Sequence, residues 1–341
     1  MRGPFPWLLP AVAMLGACKD SPNPFVSTSP TATPPPGAAL IVSTNLEGTA
    51  GSPSDIYSLG ADGSGFTRLT SCAARSSPCT ALEAAASADH SHLQVREVVS
   101  DTNGDGALTE ADGVPIVYVD LTRNVEGVVI PASVFVSGLD WSADGSLLVY
   151  SGLGSAPNDE DLFRSDVNGQ NVANLTSTPS TRERRPRLDP AASVAVYEHY
   201  GADGKGQVWL FTDATDQRQI TPGGPGTALL PSTPYTIGSD ADPAFSPDAT
   251  SVVFRRLLDA GDGRGDWQIL TVPIAGGAGT PLTSGAAFRG SPDWGTQGII
   301  FVEANASGGL DLVLIQPDGS GRKVLMSAPA GMALSAPRFL R

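Results

Sequence analysis

From residue 39 onward, apolar residues come in short runs broken by turn residues, and no segment holds a long 3.6-residue apolar period. Together with many Gly, Pro, Ser and Thr residues, this suits an all-β fold with many turns. The runs repeat in a fixed order. An anchor comes first: Pro186-Arg187-Leu188, Pro243-Ala244-Phe245, Pro292-Asp293-Trp294 and Pro337-Arg338-Phe339 share proline, any residue, large apolar residue. Leu139-Asp140-Trp141 fits without the proline, and Ala84 to Ala86 fits weakly. A turn follows, such as Ser142-Ala143-Asp144-Gly145 or Ser246-Pro247-Asp248-Ala249, then a second strand, Leu147 to Tyr150 or Val252 to Phe254. Asp and Gly suit such turns because they tolerate positive φ or bond their own backbone. A third strand is read at Asp55-Ile56-Tyr57, Asp161-Leu162-Phe163, Val208-Trp209-Leu210, Trp267 to Leu270 and Leu312 to Ile315. The fourth closes on a branched residue and Thr: Leu69-Thr70, Leu175-Thr176, Ile220-Thr221, Leu282-Thr283.

The anchor residues Ala86, Trp141, Leu188, Phe245, Trp294 and Phe339 lie 55, 47, 57, 49 and 45 residues apart. A period near 50 with four short strands per repeat predicts the blades of a β-propeller. The first repeat opens at Ala39 with a second-strand pattern, Leu40-Ile41-Val42, and has no anchor. The chain ends on an anchor, Pro337-Arg338-Phe339-Leu340, with no repeat after it. The expected fold is therefore all-β: a six-bladed β-propeller over residues 39–341 with four-stranded blades, closed by the C-terminal strand completing the first blade. Such pairing removes open sheet edges.

These residues resemble the TolB-type propeller repeat, whose pattern runs Pro-x-Trp/Phe-Ser-Pro-Asp-Gly, a β-branched strand, Asp-Ile-Tyr, then Leu-Thr. The resemblance covers residues 39–341, and Phe245-Ser246-Pro247-Asp248 is the nearest copy. It implies a propeller of the cell envelope. It does not imply TolB itself, which carries a separate α/β domain where this chain has a Pro-rich stretch.

The N-terminal residues set the compartment. Arg2 is followed by an apolar run, Phe5 to Leu15, too short to span a bilayer, and then by Leu15-Gly16-Ala17-Cys18. This resembles a lipobox and implies a signal peptide over 1–17, lipidation of Cys18 and attachment to the membrane through that lipid. Lys19 after the cysteine favours the outer membrane, by resemblance to enteric sorting rules. Residues 18–38 read as a Pro/Ser/Thr-rich tether, with prolines at 22, 24, 30, 34, 35 and 36, extending about 3.1 Å per residue. In the oxidising space beyond the membrane, Cys72 and Cys79 are expected to form a disulfide.

The net charge is −14, and loss of the signal peptide, which holds Arg2 and no acid, takes it to −15. That excludes nucleic acid as a partner, because phosphates require clustered Lys and Arg.

One loop carries chemistry. In Asp101-Thr102-Asn103-Gly104-Asp105-Gly106-Ala107-Leu108-Thr109-Glu110-Ala111-Asp112, oxygen donors fall at positions 1, 3, 5 and 9, with glycine at 6. This is the twelve-residue Ca²⁺ loop, in which a hard cation takes six to eight oxygens. Asp101, Asn103 and Asp105 are the side-chain ligands, Ala107 binds through its carbonyl, and Thr109 and Asp112 complete the set. Asp112 stands where helix-loop-helix loops have Glu, as in the loops of dockerins. A polar turn that binds nothing draws on the same residue types. The loop is expected between the second and third strands of the second blade, as a structural ion site.

No Gly-x-Ser-x-Gly elbow and no phosphate-cradling glycine loop occurs, and there are three histidines, too few for a channel metal of the kind found in propeller lyases. Arg187 and Arg338 share one repeat position on inner strands, and are candidate channel contacts for an anionic group. The functional expectation is a monomeric scaffold that binds an envelope protein or a glycan. The alternative is a carbohydrate-active lyase or hydrolase at the channel mouth.

Overall fold

The computed structural model describes residues 25–26, 33–72, 79–134, 136–155, 159–226, 228–229, 235–259 and 265–341. The expected signal peptide and Cys18 lie outside them. The described residues are β-strands joined by turns, with two short 3₁₀ turns, Glu110–Asp112 and Ala132–Val134, and no α-helix. No helix among them is long and apolar enough to cross a membrane.

Both ends of the repeat region meet in one sheet. Leu334–Phe339 pairs antiparallel with Leu40–Thr44, which pairs with Asp55–Leu59, which pairs with Thr67–Arg68. Leu40 faces Phe339 and Ile41 faces Arg338, so the final anchor supplies the inner strand that the first repeat lacks. The next sheet holds Thr80–Ala86, His92–Val98, Ile116–Asp120 and Val125–Ile130. Phe25–Val26, within the stretch expected to be tether, adds a short fifth strand at its outer edge. Covering an open edge in this way satisfies backbone groups that would otherwise face solvent.

Gly138–Trp141, Leu147–Leu153, Glu160–Asp166 and Ala173–Asn174 follow. They are linked by one parallel pair, Glu160 with Arg182, to Arg182–Leu188, Ala195–Tyr200, Gly206–Asp213 and Asp216–Gln219. Two four-stranded sheets complete the chain, Asp240–Phe245 to Thr280–Pro281 and Arg289–Gly295 to Lys323–Ala328.

The core lies between sheets. Alternation sends Leu40 and Val42 against Ile300, Val302 and Leu312 of the last sheet, and Ile41 between them against Ala84, Leu93 and Val95 of the next. Ile116 and Ile130 pack on Leu139, Trp141 and Tyr150. Val196 and Val208 pack on Phe245 and Phe254, and Val253 and Ile269 on Phe301 and Val313. Each fully buried Val, Leu or Ile contributes about 1.5–3 kcal/mol. A one-residue slip of Leu40–Thr44 would exchange its two faces and forfeit both interfaces.

The repeated motifs have local causes. Thr70, Thr176, Thr221 and Thr283 each accept, through Oγ1, the N–H of a third-strand residue, Ile56, Leu162, Val208 and Ile269, at 2.9–3.0 Å. The Leu-Thr ending thus satisfies a donor that the short fourth strand leaves unpaired. In the turns, Asp144 accepts from Ser142 Oγ and Ser146 N, and Asp248 from Ser246 Oγ and Thr250 N. These bonds fix the hairpins that follow Trp141 and Phe245.

Candidate functional site

The inner strands meet at the centre. Four share a local irregularity: Arg185, Asp242, Ser291 and Ala336, each just before the anchor proline, have φ of 50, 51, 50 and 46°. A β-bulge falls at each of them. The residue before proline is kept out of the helical region, and a bulge re-aims the strand's side chains. Non-glycine residues at positive φ cost about 1–2 kcal/mol each, so the surrounding pairs must hold them.

After three of these bulges the middle residue of the anchor, Arg187, Asp293 or Arg338, reaches the centre; Ala244 packs between sheets instead, and Asp140 joins from Gly138–Trp141. Arg187 Nη2 donates to Asp293 Oδ1 at 2.6 Å, and its Nε stands 3.5 Å from Asp140 Oδ2. Arg338 donates to Asp140 Oδ1 at 3.0 Å and also to Glu83. The two aspartates also accept backbone N–H groups from other inner strands, Asp140 from Leu188 and Asp293 from Phe339. Anchor residues from four inner strands therefore plug the centre. Burial alone would push Asp140 and Asp293 up, but Arg187 and its neighbours hold both carboxyls below the usual range. Burial, and then the charge of Arg187, lowers Arg338.

On one side of this plug opens a cavity of about 290 Å³. Five arginines line it, Arg96, Arg185, Arg187, Arg255 and Arg338, with three carboxylates, Glu83, Glu110 and Asp242. The two arginines proposed from repeat position, Arg187 and Arg338, are thus brought together here, both buried and ion-paired. Arg96 bonds Glu83 at 3.0 Å and Glu110 at 2.6 Å. Arg185 Nη1 lies 3.2 Å from Glu198 and 2.9 Å from Asp242, and donates to Tyr235 Oη at 2.7 Å. Arg255 is sandwiched, its guanidinium 3.9 Å above Trp267 and its Nε 2.8 Å from Asp242. Asp242 is driven up by burial and further down by Arg255 and Arg185, to about 2. Glu83 and Glu110 are likewise lowered, by Arg338 and Arg96 against burial.

Sequence reasoning missed Arg185, Asp242 and Glu83. A signal for the first two was present: each precedes an anchor proline. None of the three histidines lines the cavity. His92 lies between Asp89 and Asp120, and His199 is 3.3 Å from Glu183.

The 101–112 loop lies where expected, between His92–Val98 and Ile116–Asp120. Its carboxylates close it from within. Asp101 accepts Gly104 N and Gly106 N, Asn103 accepts Asp105 N, and Asp105 accepts Ala107 N, at 2.6–2.9 Å. Asp112 accepts Thr102 N, Asn103 N and Thr109 N, and Thr109 caps the 3₁₀ turn. The donors fit Ca²⁺ in kind, being all oxygen, and Asp101 and Asp105 form no ion pair among the described residues. Asp101, Asp105 and Asp112 do not bring their carboxylate oxygens within 4.8 Å of one another. Among the described residues only Cys72, Cys79 and Glu97 approach so closely, and those cysteines are joined in a disulfide. The turn that ends the loop delivers Glu110 to Arg96 at the cavity wall.

Sheets of this kind arranged about a plugged centre make a TolB-like β-propeller. TolB from Acinetobacter baumannii shares the fold at a TM-score of 0.65 and 14% identity, covering 89% of this chain and 66% of that one. A putative TolB from Agrobacterium tumefaciens gives 0.59 and 13%, covering 89% and 98%. A chain of a nidogen/laminin complex gives 0.62 and 10%, covering 89% and 99%. This chain thus spans 66% of the length of the Acinetobacter protein. At these identities the likeness is one of fold. No protein-family model matches the sequence, and no curated protein matches it.

Proposed function

We propose that this chain is a six-bladed propeller of the cell envelope, lipid-anchored through Cys18, and that it acts as a scaffold binding another envelope protein or a glycan. The four-stranded blades are read from the antiparallel groups that follow each anchor, with the last anchor completing the first. The observation that carries the binding reading is the central cavity, a polar hollow on a rigid ring, flanked by loops that vary without disturbing the blades. A lyase or hydrolase using acid–base carboxyls needs one that keeps its proton near neutral pH. Glu83, Glu110 and Asp242 are all pushed the opposite way by arginines, so we assign none of them that role. Crosslinking in the native envelope, followed by identification of what co-purifies, tests the scaffold. A defined partner whose capture is lost on Arg255→Glu supports it; a partner captured equally by that variant places binding elsewhere and overturns the role of the cavity face.

We also propose that the 101–112 loop holds a structural Ca²⁺ through Asp101, Asn103, Asp105, the Ala107 carbonyl, Thr109 and Asp112. Calorimetric titration of the purified protein is expected to show one site, abolished in Asp101→Ala/Asp105→Ala. No heat in the parent protein removes the proposal.

A further inference from the structure

The central ion pairs leave part of the guanidinium surface unused. Arg185 makes its hydrogen bonds through Nη1 alone, to Glu198 and Tyr235. Its Nε and Nη2, which form one edge of the planar fork, bond nothing among the described residues. Yet the side chain is 31% exposed and lines the cavity. Arg187 is nine-tenths buried; it spends Nη2 on Asp293 and turns Nε toward Asp140 at 3.5 Å, leaving Nη1 without a hydrogen bond among the described residues. Arg255 reaches Asp242 through Nε and Tyr235 through Nη2, leaving Nη1 without a hydrogen bond among the described residues. Arg185, Arg187 and Arg255 thus line one cavity with guanidinium donors that bond no protein group among the described residues.

The charge balance narrows the ligand. Asp140, Asp293 and Glu198, behind the wall, offset the arginine excess of the lining, so bulk attraction is weak and recognition rests on donor geometry. A carboxylate matches the Nε–Nη2 edge of Arg185 with two parallel bonds. Spare donors of Arg187 and Arg255 require a second acceptor group. Leu82, Pro243, Pro292 and Phe288 supply apolar wall between the charges. The cavity, about 290 Å³, is roughly ten times the ~30 Å³ share of one water, more than an inorganic ion fills.

We propose that the central cavity binds a small organic dianion of the dicarboxylate class, through the free edge of Arg185 and the spare donors of Arg187 and Arg255. This site does not depend on the scaffold reading: a dicarboxylate can bind whether or not a macromolecule docks on the same face.

Isothermal titration of the full chain with succinate and tartrate tests it, with succinamide, inorganic phosphate and a glutamate-rich peptide as comparators. Saturable one-site heat with a dicarboxylate, none with succinamide, and an affinity at least about tenfold weaker in Arg185→Gln are expected. Arg185→Gln also removes a partner of the buried Glu198 and Asp242, so its melting temperature should fall, and titrations are read at a temperature where each variant is folded. Arg255→Gln, melted in parallel, provides a second reading should Arg185→Gln fail to fold. Three outcomes overturn the proposal: no dicarboxylate heat, heat unchanged in folded Arg185→Gln and Arg255→Gln, or binding of only phosphate or only the peptide.

Discussion

At the centre of the molecule, Asp140 and Asp293 are buried and face guanidiniums from strands far away in sequence. In the 101–112 loop, Asp101 and Asp105 stand in solvent and accept only N–H groups a few residues away. The same side chain does opposite work in the two places. The central carboxylates couple sheets, since Asp140 joins Leu188 and Arg338, and Asp293 joins Phe339 and Arg187. Asp101, Asp105 and Asp112 organise only their own loop, and Glu110 reaches out of it to Arg96. Long-range charge pairing is therefore a property of the ring as a whole, whereas the loop is a local device attached to one sheet. Damage to the first should be global, and damage to the second local.

The largest effect should follow deletion of Leu334–Arg341. It removes the partner of Leu40–Thr44, strips Leu334 and Phe339 from the core, and leaves Glu83 and Asp140 without Arg338. We expect no cooperative thermal transition by circular dichroism. A sharp transition near that of the parent would show that the terminal strand does not hold the ring. Next comes Asp293→Ala, which strands Arg187 and the Phe339 N–H. Breaking one partner of a buried pair costs about 3–5 kcal/mol, to be read from urea midpoints. Adding Arg187→Met should recover part of the loss; if the double variant is as unstable as the sum of the singles, the pair is not coupled.

Acid should separate the two regions as well. Burial raises Asp242 but Arg255 and Arg185 outweigh it, and the carboxyl sits at about 2, against an ordinary value near 3.9. A depressed carboxyl contributes stability that is fully present above its unfolded pKa and is lost as pH falls through the folded one. Melting temperature should thus hold from pH 7 to about pH 5 and fall steeply between about pH 4 and pH 2. In Asp242→Asn that part of the fall should be missing. Asp240 opposes the trend, because burial lifts its carboxyl despite Arg256, so its protonation favours the fold and partly offsets the loss.

Much of the architecture was legible because it rests on a repeat of short apolar strands and on turn chemistry, which leave local marks. Trp141 announces its inner strand by the Ser-Asp turn after it, Phe339 by the proline before it and Phe245 by both, and the anchor left over from the repeats announces its pairing with Leu40. The shared repeat position of Arg187 and Arg338 placed them at the centre. What stayed hidden depends on direction rather than periodicity. Arg185 and Asp242 reach the cavity because a bulge before proline turns the strand; the proline marks the place, but the order of apolar and polar residues does not report the rotation. Arg96 and Arg255 lie on second strands among apolar neighbours, where a charged residue gives no hint of its partner. The bond from Glu110 to Arg96 spans a loop whose path the spacing of oxygens does not fix. Phe25–Val26 was hidden by the prolines around it.

The smallest effect is expected in the loop, and it is the one that distinguishes a locally closed turn from a cation site. Without added metal, Asp101→Ala removes acceptors for Gly104 and Gly106 N–H groups that water can replace, since both are exposed. Substitutions on such surfaces rarely move stability by more than about 0.5 kcal/mol, so the urea midpoint should stay within error of the parent. Millimolar Ca²⁺ should then split the pair. A ligand that binds only the folded state raises stability by RT ln(1 + [L]/Kd), so the parent's melting temperature should climb with Ca²⁺ and the variant's should not. Because the loop's side-chain hydrogen bonds reach the other described residues only through Glu110 and Arg96, the added protection against local opening should be confined to the second sheet. Amide exchange would show it as new protection in residues 92–120, with rates in Leu40–Thr44 unchanged. Protection spreading to the terminal sheet would mean that the loop, despite its self-contained bonding, is mechanically part of the ring.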